Sequence, residues 1–177
     1  RTLGAHMMTV DKTQGVHFAV WAPNALRVSV VGDFNHWDGR RHQMRRLWDS
    51  GIFEIFIPGV REGENYKFEL KLKGGLTYLK ADPYAFGQQL RPDTASVVRN
   101  IDGFAWEDEA WILAREKSCP EKEPMSVYEM YLGSFAKPED GRRYYNYREF
   151  APKVISYVKE MGYTHVELMP VMELPLD

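Results

Sequence analysis

The sequence predicts a mainly β protein that ends in a β-α-β unit, and three observations support this prediction. Its first half consists of short runs of alternating apolar and polar residues, separated by Gly, Pro, Asn and Asp. A helical period replaces this alternation only after residue 125. The aromatic content of 14%, with 10 Tyr, 9 Phe and 5 Trp, suits β-structure and also sugar binding.

The alternating runs predict several short strands, which together indicate an antiparallel β-sandwich over residues 1–103. Residues 3–6 are expected to be a short lead-in. Gly74 and Gly75 predict a hairpin turn, because glycine adopts positive φ without steric cost. The predicted strands lie near residues 16–20, 26–30, 44–47, 53–57, 66–72, 76–78 and 96–98.

The strand that ends at residue 31 runs into a polar turn containing two large aromatic residues. Trp37 stands there among Asn35 and Asp38, and an exposed indole is costly unless it packs or meets a ligand. A sugar suits it, because a pyranose ring stacks on indole while an amide or carboxylate bonds the hydroxyls. The alternative is that Phe34 fills the core and Trp37 is a half-buried lid.

Residues 104–124 are predicted to be a linker, because the segment is charged and contains two prolines. Residues 125–177 then read strand, helix, strand, which is a β-α-β unit with parallel strands. Asn146 with Glu149 predicts a capping box. Pro152 must lie in the first turn of that helix, or the helix kinks.

The net charge, the length of the apolar runs and the cysteine count exclude several classes of partner. A net charge of −2 gives no basic surface for nucleic acid. No apolar run approaches the roughly 20 residues of a membrane helix, so no membrane partner is expected. The single cysteine, Cys119, excludes an internal disulfide and indicates a reducing compartment, so a cytoplasmic location is predicted.

Two stretches, FAVWAPNA at 18–25 and VGDFNHWDG at 31–39, resemble the amino-terminal domain of 1,4-α-glucan branching enzymes. The likeness continues through KADPYA at 80–85, SVYEMYLGS at 126–134 and MGYTHVELMPV at 161–171. It implies an immunoglobulin-like glycogen-binding module followed by the beginning of an incomplete (β/α)8 catalytic barrel. It also implies that Trp37 and Lys67 contact α-glucan together, with Asn35 beside them and Tyr78 as a further aromatic contact.

The resemblance implies a parent enzyme that transfers α-1,4 glucan chains to α-1,6 branch points in glycogen biosynthesis. No catalytic residue is assigned here, because the three carboxylates of this superfamily lie on later barrel strands. Glu129, Glu167 and Glu173 are expected to be hydrogen-bonding groups at strand ends. No metal and no cofactor are expected, because the five His residues lack ligand spacing.

Other interpretations stay open. The chain alone is predicted to bind or scaffold glycogen, amylose or maltooligosaccharides without catalysis. The alternatives are a stand-alone glycogen- or starch-binding module, a scaffolding sandwich without ligand, and a debranching or trehalose-forming relative. An incomplete barrel would leave apolar faces exposed, which predicts docking on the sandwich, self-association between chains, or disorder.

Overall fold

The structure is a computed structural model that describes residues 3–171. The chain divides into two compact units, one running to Phe104 and one beginning at Ala105. The strands of the first unit are β1 (Gly4–Val10), β2 (Thr13–Trp21), β3 (Ala25–Gly32), β4 (Arg45–Arg46), β5 (Ile52–Pro58), β6 (Asn65–Leu72), β7 (Thr77–Lys80) and β8 (Ser96–Val97).

These strands form two antiparallel sheets. One has the order β1-β2-β5-β4, and the other has the order β3-β6-β7 with β8 also paired to β6. The predicted antiparallel sandwich is therefore confirmed. The prediction that residues 3–6 are only a short lead-in was wrong. Residues 4–10 form a full strand that pairs with β2 from Gly4 to Val10.

The facing sides of the two sheets share one core. Phe18 of β2 and Tyr66 of β6 are both fully buried, and their ring centroids lie 4.9 Å apart in an edge-to-face arrangement. Val28 and Val30 of β3 face the same core, as alternation along a strand requires. The core closes between the sheets and belongs to the first unit alone.

A buried polar contact fastens β6 to the segment after β7. The Tyr66 hydroxyl donates to Asp82 Oδ2 at 2.6 Å, and the Tyr84 N–H donates to Asp82 Oδ1 at 2.8 Å. Asp82 itself is only 2% exposed. Burial raises the pKa of Asp82, and burial followed by the Asp82 charge raises the pKa of Tyr66. Asp82 therefore acts in the structure as a turn-forming residue, as its place before Pro83 suggests.

The second unit mixes helices and parallel strands. Its elements are α1 (Glu109–Lys117), β9 (Val127–Met130), α2 (Leu132–Phe135), α3 (Tyr147–Glu160) and β10 (His165–Leu168). The sequence did not indicate α1, which lies inside the predicted linker, or α2. A capping box begins α3 as predicted: Asn146 Oδ1 accepts from the Glu149 N–H at 3.0 Å, and Glu149 Oε2 accepts from the Asn146 N–H at 3.0 Å.

Pro152 lies inside α3 rather than in its first turn. Its ring nitrogen carries no hydrogen, so the helix forgoes one backbone hydrogen bond there. The Ser156 hydroxyl donates to the Pro152 carbonyl at 2.9 Å, one turn further along. Of the two alternatives stated from the sequence, a place for Pro152 in the first turn is therefore excluded, and the helix forms over the predicted span.

Strands β9 and β10 pair in parallel, which is the predicted β-α-β arrangement. The unit has a small core of Met130, Phe150, Val154 and Val158. All four residues of β10 are exposed, as expected for a two-stranded sheet with one helical layer. Among residues 3–171, no helix has both the length and the apolar character that crossing a membrane requires.

Removing the Tyr66 hydroxyl tests the buried contact. We expect Tyr66→Phe to lower the free energy of unfolding by about 1–3 kcal/mol, because Asp82 Oδ2 would stay buried without its donor. Urea unfolding followed by fluorescence measures the change. Tyr84→Phe is the control, because its ring is 54% exposed and its side chain should matter little. Equal stability of Tyr66→Phe and wild type would contradict this account.

The burial of Asp82, which raises the pKa of its carboxyl, predicts a pH dependence of stability. A carboxyl whose folded pKa is raised holds its proton to higher pH in the folded state than in the unfolded state. The Asp82 contribution to stability is therefore largest below its ordinary pKa of 3.8 and is lost as pH rises through the raised folded pKa. Urea midpoints measured across this range should show the slope in wild type and not in Asp82→Asn.

Candidate functional site

The turn after β3 is built around a buried amide. Asn35 is 0% exposed. Its Oδ1 accepts from the Gly32 N–H at 3.0 Å, and its Nδ2 donates to the Val30 carbonyl at 2.9 Å and to His42 Nδ1 at 2.8 Å. Both polar atoms of Asn35 are thus used inside the protein. The prediction that Asn35 contacts a sugar does not fit this burial. The amide of Asn35 instead holds the turn in its conformation.

Phe34 lies beneath the turn, as one of the sequence-based alternatives proposed. Its ring centroid is 6.2 Å from that of Phe18 in the core and 5.7 Å from that of His42. The turn is therefore anchored by one aromatic ring and by one amide, and neither is free to move without disturbing the core.

Trp37 is held rigidly and is still partly exposed. Its backbone lies in the left-handed region at φ 59°, and its N–H donates to the Gly32 carbonyl at 3.0 Å. The indole Nε1 donates to Asp33 Oδ1 at 2.9 Å, and Asp33 Oδ2 accepts from Asn65 Nδ2 at 3.0 Å. The indole is thus oriented by its nitrogen while 38% of the residue stays exposed. A preoriented ring of this kind loses little entropy when it binds a ligand.

The outer face of β6 lies next to the turn. Tyr66 and Phe68 point into the core, so Asn65, Lys67 and Glu69 point outward. Asn65 reaches Asp33 of the turn as described, which brings Trp37 and Lys67 to the same side of the sheet.

Gly39 shows how closely the turn approaches this face. A Cβ at this position would lie 2.2 Å from Glu69 Oε1, so any side chain would displace the carboxylate. Glu69 is itself fixed by Arg27, whose Nη2 donates to Oε1 at 2.6 Å. A side chain at position 39 would therefore disturb the ion pair of Arg27 and Glu69.

Lys67 is half-buried, and its ammonium is already oriented. Its Nζ donates to Thr94 Oγ1 at 2.8 Å. An ammonium has three N–H donors, so two remain for other acceptors. Sugar hydroxyls accept such bonds, and the contact with Thr94 fixes where the donors stand.

Tyr78 does not join this site. The register places Tyr78 opposite Leu70, which packs against the core, so Tyr78 faces the other side of the sheet from Lys67. Its neighbour Leu79 lies opposite Glu69, on the side of Lys67, and is 52% exposed. The structure therefore brings Trp37 and Lys67 to one side and leaves Tyr78 out.

Sequence reasoning missed Asp33 and Asn65, which orient the indole. The signal for Asp33 was available, because a carboxylate four residues before Trp37 in a tight turn can reach the indole nitrogen. No pattern in the sequence could have paired Asn65 with it, because 32 residues separate them. The side on which Leu79 stands depends on the hairpin register, which the Gly-Gly pair alone does not fix.

Charge near the turn is balanced locally. Two hydrogen bonds from the Arg40 guanidinium hold the pKa of Asp38 well below its ordinary range. Burial, with a smaller effect of Arg41, lowers the pKa of His42. A neutral His42 is what the turn requires, because only an unprotonated Nδ1 accepts the bond from Asn35.

The second unit offers no comparable site for chemistry. Glu129 and Glu167 are register partners on β9 and β10, and both are exposed. Glu173 lies outside the described residues. Within residues 3–171, no three His, Cys, Asp or Glu side chains are placed to hold a metal ion.

An antiparallel sandwich with a rigid aromatic turn beside one sheet face has the architecture of a β-sandwich surface-binding module. Residues 2–85 match the family Carbohydrate-binding module 48 (Isoamylase N-terminal domain).

The whole chain is similar to curated proteins named 1,4-alpha-glucan branching enzyme GlgB, which confirms the resemblance stated from the sequence. It is 51% identical to the Synechococcus sp. (strain JA-2-3B'a(2-13)) protein over 99% of this chain and 25% of the relative. It is 52% identical to the Gloeobacter violaceus protein over 99% of this chain and 24% of the relative. The chain thus spans about a quarter of the length of these relatives and corresponds to their amino-terminal part.

Solved structures show the same fold. A Salmonella typhimurium protein described as an alpha amylase superposes with a TM-score of 0.66 at 27% identity, over 97% of this chain and 25% of that protein. Pullulanase from Bacillus acidopullulyticus superposes with a TM-score of 0.65 at 19% identity, over 99% of this chain and 22% of that one. At that identity the second likeness concerns the fold alone.

Acid should loosen the turn that carries Trp37. A His with a lowered folded pKa contributes stability that is present above its ordinary pKa of 6.5 and is lost as pH falls through the folded pKa. We expect wild type to lose stability below about pH 6.5, whereas His42→Asn, which keeps an acceptor and does not titrate, should be flatter there. Urea midpoints at stepped pH values measure both.

His36→Asn is the matched control for this titration, because His36 is exposed in the same turn. It should keep the wild-type slope. A slope in His42→Asn as steep as that of wild type would show that other groups cause the acid sensitivity.

Proposed function

We propose that the first unit is the α-glucan-binding module of a glycogen branching enzyme, with Trp37 as its stacking platform. One observation supports this most strongly. The Trp37 indole is oriented by Asp33, with part of its surface exposed, on the side of the sheet where Lys67 presents its ammonium. The match of residues 2–85 to a carbohydrate-binding family supports the same proposal.

The geometry accounts for how a neutral ligand would be held. The apolar face of a glucose ring would lie on the indole of Trp37, where both surfaces leave water. Lys67 would donate its two remaining N–H groups to hydroxyl oxygens. Leu79, rather than Tyr78, is the apolar residue facing this side, so we propose Leu79 as the third contact.

Catalysis belongs to the larger protein. The relatives are named as α-1,4-glucan branching enzymes, and we propose that the parent of this chain transfers glucan chains to α-1,6 positions in glycogen biosynthesis in the cytoplasm. A retaining transfer needs two carboxylates about 5–5.5 Å apart. Among residues 3–171, the candidate carboxylates on the parallel strands are Glu129 and Glu167, and no motif assigns that role to them. We therefore expect this chain alone to bind glycogen, amylose or maltooligosaccharides without cleaving them.

The domain boundaries remain a proposal: a module over 1–103, a connecting segment over 104–124, and the start of a catalytic barrel over 125–177. The parallel pair β9-β10 with α3 supports the last assignment, since a barrel begins with such a unit. A stand-alone binding module would have no use for these strands, and this favours the enzyme over that alternative.

Replacing the platform tests the proposal. We expect Trp37→Ala to lose most retention in a native gel cast with glycogen, because the stacking surface is gone. Trp111→Ala is the matched control, because Trp111 is 59% exposed in the second unit and should not change retention. If wild type itself is not retarded by glycogen, the sandwich is a scaffold and the proposal fails.

Lys67 can be tested against a lysine of the same strand face. We expect Lys67→Ala to weaken glycogen binding by roughly 1.5–3 kcal/mol, the size of a lost hydrogen bond from a charged donor. Lys71→Ala should have no effect. Lys71 is exposed on the same face of β6 but lies four residues further along the strand. Isothermal titration with maltoheptaose measures both. Equal losses in the two variants would mean that only general charge matters.

The exposed apolar faces of the second unit support self-association of the isolated chain. Side chains of α3 and β10 line a shallow apolar cavity of about 410 Å³, in which Ile155 is 51% and Leu168 47% exposed. Surfaces of this kind are covered in stable proteins. Sedimentation velocity should show concentration-dependent association that Ile155→Glu reduces, and a monomer at all concentrations would exclude it.

A further inference from the structure

Two further tryptophans, Trp21 and Trp48, lie on the first unit. Trp48 is 92% exposed and Trp21 is 61% exposed. A tryptophan as exposed as Trp48 is unusual in a protein of this size, because indole is the largest apolar side chain and normally packs. Neither residue has a part in the site described above.

The turn that carries Trp48 is rigid. Trp48 begins a short 3-10 turn, Trp48–Ser50, between β4 and β5. The Leu47 N–H donates to the Ile52 carbonyl at 2.8 Å, and the Ile52 N–H donates to Ser50 Oγ at 3.1 Å. Trp48 itself has φ 46°, a left-handed backbone that costs energy in a bulky residue. The fold therefore holds a large aromatic side chain outward at an energetic cost.

Trp21 is tied to the same turn. Its indole Nε1 donates to the Ser50 carbonyl at 3.2 Å. Gly51 completes the contact, since a Cβ there would lie 2.9 Å from Pro23 and 3.1 Å from the Trp21 nitrogen. The polar atom of the indole is thus satisfied by protein, and its ring remains largely exposed.

This turn lies at the far end of β3 from Trp37. The Val30 N–H donates to the His42 carbonyl and the Met44 N–H donates to the Val28 carbonyl, both at 2.9 Å, so the chain runs back along β3 toward Leu26 before it reaches Trp48. An eight-residue strand spans roughly 25 Å, so the two aromatic turns are separated by about that distance.

We propose that Trp21 and Trp48 form a second α-glucan platform on this module. The inference rests on the proposed function, because it takes the ligand class from the first site. The exposed ring of Trp21, whose Nε1 is held by the Ser50 carbonyl, and the exposed ring of Trp48 offer a stacking surface, and the exposed carboxylate of Asp49 offers a partner for sugar hydroxyls.

Two platforms on one module have a consequence for long ligands. A glycogen particle presents many chain ends, so binding at one platform raises the local concentration of glucan at the other. Maltotriose is too short to reach both. The second platform should therefore matter more for glycogen than for maltotriose.

The test compares Trp48→Ala, Trp37→Ala, the double variant and the control Trp111→Ala in glycogen gels and in maltotriose titrations. Because Trp48 is almost fully exposed, its removal should leave the fold intact, and circular dichroism checks this. We expect Trp48→Ala to weaken glycogen retention roughly three- to tenfold, the size of one lost aromatic contact. The double variant should lose more than either single one.

The outcomes separate the two proposals. Unchanged glycogen retention in Trp48→Ala would overturn the second platform, whatever Trp37→Ala does. A loss in Trp48→Ala with none in Trp37→Ala would support the second platform and remove the proposed first one. If Trp48→Ala changes only the sedimentation coefficient of the unliganded chain, the surface is a protein contact and the inference is wrong.

Discussion

Strand β6 connects the core to the candidate site, and both depend on its alternation. Tyr66 and Phe68 fill the space between the sheets, whereas Asn65 and Lys67 point outward toward the turn that carries Trp37. The strand lies inside its sheet, paired with β3, β7 and β8, so it cannot shift by one residue without reversing every side chain. The positions of the site residues are thus set by the same packing that stabilises the sandwich.

In the turn above this strand, hydrogen bonds offset the free energy that it costs to bury the amide of Asn35. Asn35 lies in the interior, where an unpaired polar atom would cost free energy, and its oxygen and nitrogen are both hydrogen-bonded. These bonds fix Gly32 and His42 on either side of the turn. The rigidity of Trp37 follows from this network and from Asp33, so the orientation of the ring is determined before any ligand arrives.

Much of the fold could be predicted from the sequence, because period-two alternation and turn residues are local signals. The antiparallel strands and the capping box at Asn146 were found in this way. The burial of Asn35 could not be, because an amide in a turn is equally suited to a sugar or to the protein's own backbone. The assignment of Tyr78 to the site failed for a different reason. The face on which Tyr78 lies depends on the hairpin register, and the geometry of the loop sets that register.

The two units differ in how far their cores are closed, and this difference bears on what each can do alone. In the first unit the core lies between two sheets that cover each other, so its exposed tryptophans are not needed to fill that core. In the second unit one helix covers one side of two parallel strands, and Val166 and Leu168 remain exposed. Parallel strands are normally buried on both faces. The first unit therefore has the physical requirements of an independent binding module, whereas the second needs further structure to cover its sheet.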